Sequence, residues 1–204
     1  MKNRKPTFFT SDWHIGHKKV LEFDERPFKD IDHMHECLIK NYNAQVPENG
    51  ICYHLGDVGM ASVETVKSVI SKLNGTKVLI LGNHDGNPNR MYNCGFDVVV
   101  YSAELYIQGK RVTMTHCPLP GIFRENLEGM VNVGDSVNWH GESRHSRFIV
   151  KDEGQHHLHG HIHSGPHNDK ITKTDRQWDV GVTGNKYRPV SISMIESWIE
   201  KGVK

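Results

Sequence analysis

Hydrophobic and polar positions divide the chain into two halves of different rhythm. In the first, short β-prone runs at 7–10, 51–55 and 77–81 each stop at a small residue followed by Asp, Asn or His: Ser11-Asp12-Trp13-His14, Gly56-Asp57 and Gly82-Asn83-His84-Asp85. Bounded runs of this length predict strands, each delivering a polar side chain at its C-terminal end. Between the first two runs, Ile31, Met34, Leu38 and Tyr42 fall on one face of a helix. Between the next two, Ser62 is placed to cap a helix that carries Val63, Val66, Ile70 and Leu73 inward and ends near Asn74-Gly75.

The second half opens with a hairpin pattern, 104–108 and 111–115 about a Gly109-Lys110 turn, in which Val112-Thr113-Met114-Thr115 alternates as a strand with one buried face. Further strands are expected at 156–160, 177–182 and 190–194, before a short closing helix. The order predicts a single layered α/β domain over 1–204, without internal repeats. From 121 to 155 the periodicity gives way to Gly, Asn, Ser and charged residues around isolated Phe123, Val131, Val133, Val137, Trp139 and Phe148. A long aperiodic stretch inside a compact domain predicts a lid or insert.

A length of 204 residues with 36% hydrophobic composition supports one core without staples. Lys and Arg total 25 and Asp and Glu 24, a balance that gives no global field toward an extended polynucleotide or an anionic membrane. Lys2, Arg4 and Lys5 read as a solvated tail. Phe8-Phe9 is too short for a signal core, and no run reaches membrane-spanning length. Cys37, Cys52, Cys94 and Cys117 form no CxxC pair, so free thiols in a reducing, cytoplasmic setting are expected. The departure from ordinary composition is 15 histidines, and they are clustered, which points to metal or to catalysis.

Five clusters carry that chemistry: Asp12-Trp13-His14, Gly56-Asp57, Gly82-Asn83-His84-Asp85, Thr115-His116 and Gly160-His161-Ile162-His163. In the first and last, ligand-type side chains lie two apart, so that either an extended segment, where they share a side, or a loop can bring them together on one ion. Carboxylate oxygen mixed with imidazole nitrogen suits Mn, Fe, Zn, Co or Ni better than an all-oxygen Mg site. Alone, each cluster has a structural reading: Gly-Asp and Gly-Asn are ordinary turn chemistry, and a lone His is more often a satisfied core or surface residue. His156, His157 and His159 read as strand residues leading into the last cluster, and His167 as part of the loop after it.

In their order and residue types the clusters resemble the signature of the calcineurin-like metallophosphoesterases: DxH, GD, GNH(D/E), a lone H and GHxH. Small bacterial and phage phosphoesterases of this superfamily are the nearest in pattern, over most of 6–120 and 156–195. The resemblance implies a four-layer α/β/β/α sandwich of two mixed sheets flanked by helices. It implies two divalent metal ions, manganese foremost, with Asp12, His14 and His163 on the first, Asn83, His116 and His161 on the second, and Asp57 between them. It implies phosphoester hydrolysis by a hydroxide held between the metals, with His84 as general acid or electrostatic stabiliser. Two divalent ions less two carboxylates and a hydroxide leave one positive charge for phosphate, which a carboxylate in place of Asn83 would cancel.

Neighbouring residues have open roles. Asp85 could orient His84 or cap the segment before Asn87-Pro88; His17 could reach a phosphate oxygen or begin a helix; Arg26 resembles an arginine that could grip phosphate through its fork. The insert carries more acidic than basic residues, so it is no polynucleotide surface, yet Phe123 with Arg124, or Trp139 with His140 and Arg144, could stack on a base and hold a second phosphate. The segment 180–185 lacks an aromatic residue that the resemblance leads one to expect shortly after that strand. The substrate expected is a nucleotide or other small phosphoester, cleaved as a diester. A phosphomonoesterase and a nuclease acting on nucleic-acid ends are the alternatives. A non-catalytic scaffold would be expected to have lost ligands, and the set is complete.

Overall fold

The computed structural model describes residues 4–119, 146–168 and 170–203. Its described residues form an α/β protein with two mixed sheets. The first contains β1 (Thr7–Thr10), β2 (Ile51–His54), β3 (Thr76–Ile80), β4 (Val98–Val100) and β9 (Val190–Ser191), in the order β4-β3-β2-β1-β9. Here β1 to β4 are parallel and β9 runs antiparallel to β1. The second contains β5 (Ala103–Ile107), β6 (Lys110–Met114), β7 (His156–His159) and β8 (Gln177–Asp179) in sequential order, with an antiparallel β5–β6 hairpin followed by parallel pairings.

Alternation along the strands divides the core. Phe9 of β1 packs with Leu55, Ile80, Val112, Met114, Leu158 and Trp178, joining one face of the first sheet to one face of the second. Phe8, one residue earlier, turns to the other side, where Met34, Leu38, Val66, Ile70 and Met91 bring three helices onto the first sheet. These are α2 (Ile31–Asn43), α3 (Val63–Ile70) and α4 (Pro88–Asn93); α1 (Val20–Phe23) is a single turn, and α5 (Ile192–Lys201) seats Ile195 and Trp198 in the core between the sheets.

The helix starts follow from capping chemistry. Ser62 Oγ accepts from the Thr65 amide, Asp30 from His33, Asn87 from Arg90 and Ser191 from Met194. The Ser191 cap corrects the expected strand at 190–194: extended structure ends at Ser191, and the next residue enters α5. The strand at 177–182 is likewise shorter, because Asp179 turns its carboxylate back onto the Gly181 amide at 2.8 Å. All four cysteines are free thiols. Among the described residues no helix is long and apolar enough to cross a membrane.

Candidate metal centre

Each of the five clusters lies beyond the C-terminal end of a strand: Asp12 and His14 after β1, Asp57 after β2, Asn83 after β3, His116 after β6, His161 and His163 after β7. The three loops of the first sheet start level, since Thr10 is in register with His54 and His54 with Leu79. They are stitched together: Asp12 N donates to Gly56 O, His14 N to Asp57 O and Ile15 N to Val58 O, at 3.1, 3.1 and 2.8 Å. Gly160 N donates to His116 O at 2.9 Å, tying the two loops of the second sheet. Asp12, His14, Asp57, His161 and His163 all have left-handed backbone, with φ between 50° and 71°. Outside glycine that region is sparsely used, and its concentration here aims the side chains inward off the strand ends.

The result is a compact donor set. One nitrogen or carboxylate oxygen from each of Asp12, His14, Asp57 and His163 lies within 4.8 Å of the others, a cluster that could hold a metal ion. His14 Nε2 and His163 Nε2 are 3.0 Å apart, His163 Nε2 is 3.6 Å from Asp12 Oδ1, and His14 Nε2 is 3.7 Å from Asp57 Oδ2. The other Asp57 oxygen, Oδ1, is 3.4 Å from His116 Nε2. His161 Nδ1 lies 3.3 Å from that same His116 nitrogen and 3.1 Å from Asn83 Oδ1. Asp57 therefore turns one oxygen to each of two neighbouring groups of donors. Close approach demands glycine around them: a Cβ on Gly82 would collide with the Asp57 carboxylate, and one on Gly160 with Ser11 and Asp12.

The donors are held by a surrounding layer of polar groups. His116 Nδ1 donates to the Leu55 carbonyl at 2.7 Å, leaving Nε2 to face the cluster. His163 Nδ1 sits 2.9 Å from both oxygens of buried Asp24, which frees its Nε2 in the same way. Asp85, fully buried, accepts from the amides of Gly82, Asp57 and Val58 at 2.7, 2.9 and 2.8 Å. Its role is to fix the Asp57 loop; the cap of α4 belongs to Asn87. This combination of carboxylates and imidazoles, with the second nitrogens of His116 and His163 anchored, fits a transition-metal ion.

The electrostatics point the same way. Burial pushes Asp12 up to about 6, against the pull of His163 and His116. Burial, reinforced by His163, pushes His14 down to about 2. Burial also opposes charge on His116, but the Asp57 carboxylate outweighs it and raises the imidazole to about 10; Asp57 is held well below the usual carboxylate range by the same attraction. Such a site gathers positive charge, and protons and cations compete for it.

His84 is at the rim, its side chain 45% exposed and its Nε2 4.0 Å from Asp57 Oδ2, while its backbone amide donates to Asp57 Oδ1 at 3.0 Å. The His17 ring lies 5.6 Å from that of His14, and its Nδ1 is buried with no hydrogen-bond partner. Arg26 does not face a phosphate site: the buried guanidinium donates to Asp24 Oδ2 and to the carbonyls of Asp12 and Trp13, at 2.8 to 3.1 Å. The expected phosphate fork is instead an internal brace. Phe123, Arg124, Trp139, His140 and Arg144 lie outside the described residues. The end of the expected insert is described: Phe148 packs against His116, ring centroids 6.4 Å apart, and accepts from Cys117 N through its carbonyl.

Sequence patterns did not single out Asp24 or Asp179. Asp24 follows a one-turn helix with no periodic signal, and the carboxylate of Asp179 accepts from Ser164 N, Ser164 Oγ and Gly181 N, bracing the loop after His163. No aromatic residue lies within 180–185; Tyr187 is the next along the chain.

Fold and site together define an α/β protein with a histidine–carboxylate cluster, able to hold metal, at converging strand ends. No protein-family model matches the chain. It is 30% identical over 165 residues to the gene 66 protein of Mycobacterium phage L5, covering 78% of this chain and 77% of that one. It is 32% identical over 163 residues to the gene 66 protein of Mycobacterium phage D29, covering 77% and 78%. The chain belongs to the family of these phage gene 66 proteins. An uncharacterized protein of Methanocaldococcus jannaschii is 28% identical over 200 residues, 96% of this chain and 92% of that one. The crystal structure of a protein of unknown function from Aquifex aeolicus shares the fold, with a TM-score of 0.69 at 22% identity, covering 96% of this chain and 100% of that one.

Proposed function

We propose that the protein is a phosphohydrolase with two divalent metal ions, a calcineurin-like metallophosphoesterase built as a four-layer α/β/β/α sandwich. The observation that carries this reading is the position of Asp57, whose two oxygens face separate donor groups: His14 with Asp12 and His163, and His116 with Asn83 and His161. Manganese is the metal proposed, with Fe, Zn, Ni and Co as the other candidates for a mixed carboxylate–imidazole site. Bound there, the ions would supply an activated water and neutralise charge developing on phosphate oxygens.

The chain's own contribution is positional and protolytic. Asn83 supplies a neutral oxygen, so the donor set with two divalent ions bound would keep net positive charge for a phosphate. His84, exposed at the rim beside Asp57, is placed to protonate a departing oxygen and to take that proton back from water. Its backbone amide, spent on Asp57, fixes where the imidazole stands. The reaction proposed is cleavage of a small phosphodiester, nucleotides included. Protein stripped of metal and reconstituted with manganese should recover turnover of bis(p-nitrophenyl) phosphate. Fully metallated protein inert toward both diesters and monoesters would overturn the proposal.

A further inference from the structure

His161 and His163 stand two residues apart on backbone that L-residues seldom adopt, with φ of 71° and 50°. At His161 the chain closes on itself within three residues. Ile162 N donates to Gly160 O at 2.8 Å, which with that positive φ makes a γ-turn of the rare, strained hand. Such a conformation persists only where its surroundings over-determine it. The amides are held by carboxylates: His161 N donates to both oxygens of Asp12 at 3.2 and 3.1 Å, and Ser164 N to Asp179 Oδ2 at 2.9 Å. The carbonyls are held by side chains of the stretch that follows.

Lys170 Nζ donates at 2.6 Å to the carbonyl of Ile162, the residue between the two histidines. Asn168 Nδ2 donates at 2.9 Å to the carbonyl of His163. The two side chains support each other. Lys170 N donates to Asn168 Oδ1 at 3.0 Å, which fixes the amide with its nitrogen toward His163. The same nitrogen lies 2.6 Å from His167 Nε2, so that ring nitrogen is an acceptor. Every polar backbone group from His161 N to Ser164 N that carries the turn is thereby matched, and the bond at Ile162 is charge-assisted, about twice as strong as a neutral one. A lysine here runs against the electrostatics of the site. An ammonium on the segment between two donors repels the cations those donors gather, so its contribution must come through geometry.

We propose that Lys170 is a positioning residue of the metal centre, holding His161 and His163 in the strained turn from which both reach metal. The assignment rests on the two-metal reading of the cluster. A brace and a bystander charge predict opposite signs. If the ammonium were only a nearby charge, Lys170→Met would tighten metal binding; as the brace of the turn, its removal weakens it. Manganese affinity of the full chain, measured by competition with a chelator, should fall by about 10- to 100-fold in Lys170→Met, with the far-ultraviolet spectrum as in the wild type. Lys170→Arg, which keeps a charged donor, should restore most of it. Asn168→Ala, which frees the His163 carbonyl, should weaken binding as well. Lys173→Met, whose ammonium lies 4.3 Å over the Trp178 ring, should leave affinity unchanged. Unchanged or tighter binding in Lys170→Met, or an equal loss in Lys173→Met, overturns the assignment. A Lys170→Met protein that keeps its metal affinity and only raises KM also overturns it, since that places the ammonium on substrate. Wild-type protein that loads manganese without turning over any ester, with the loss in Lys170→Met intact, supports the brace and removes the hydrolase reading. Wild-type protein that takes up no metal overturns the two together.

Discussion

Asp57 is the residue on which both donor groups depend, because each of its oxygens has a different set of imidazoles for company. Asp57→Asn halves the carboxylate charge of the cluster and presents an amide nitrogen to one side. Metal content per chain should fall for the whole site rather than for half of it. His84→Ala removes a rim group that is no donor, so metal content should persist while turnover drops by about 10²- to 10⁴-fold. Equal metal loss in the two variants would refute this division of roles. Asp24 acts one step further out, through His163 Nδ1. Asp24→Ala should weaken metal affinity by about 10- to 100-fold, measured by competition with a chelator, while the circular dichroism spectrum stays as in the wild type.

Elements with a clear rhythm are legible in the sequence itself. Met34, Leu38 and Tyr42 are buried on one face of α2 as their spacing requires, and Met34→Ala should cost about 2–5 kcal/mol in a urea titration. Asn87→Ala removes the cap of α4, a loss of about 1 kcal/mol. The strand ends bearing the seven proposed donor residues are also legible, because Gly-Asp, Gly-Asn-His and His-x-His punctuate apolar runs. What escaped was short or non-local. The three residues of β4 and the single turn of α1 are below the length at which periodicity speaks. Arg26 has the right chemistry for a phosphate clamp, and its sequence neighbours do not reveal that Asp24 and two backbone carbonyls already occupy its guanidinium. A brace between residues 24 and 163 leaves no periodic mark in either segment.

At the scale of the whole molecule, buried neutral histidines tie stability to pH. His157 is fully buried between β6 and Cys117: its Nδ1 is 2.9 Å from Thr113 Oγ1 and its Nε2 donates to Cys117 O at 3.1 Å. Burial, with His159 adding to it, pushes its pKa from 6.5 down to about 3. The unfolded chain thus binds the extra proton first as pH falls. The stability His157 contributes is fully present above about 6.5 and is lost progressively as pH drops toward about 3. The urea midpoint should decline between pH 7 and pH 4, and more shallowly in His157→Gln. Identical slopes would show that another group controls the loss.

The amide-to-carbonyl bonds that lace the 12–15 loop to the 56–58 loop, with Asp85 gripping the second from below, bear on how the protein would acquire its ions. In small domains that fold around a metal, capture and folding are one event, and a chelator unravels both. Here the loops that carry the proposed donors are bonded to one another through backbone and Asp85, so uptake would resemble filling a mould rather than closing a hand. Stripping with a chelator should leave the far-ultraviolet spectrum intact, and reloading should proceed without a refolding phase. The exchange of one metal for another would then follow the ions in the surroundings, at a fixed architecture, throughout the life of the folded chain.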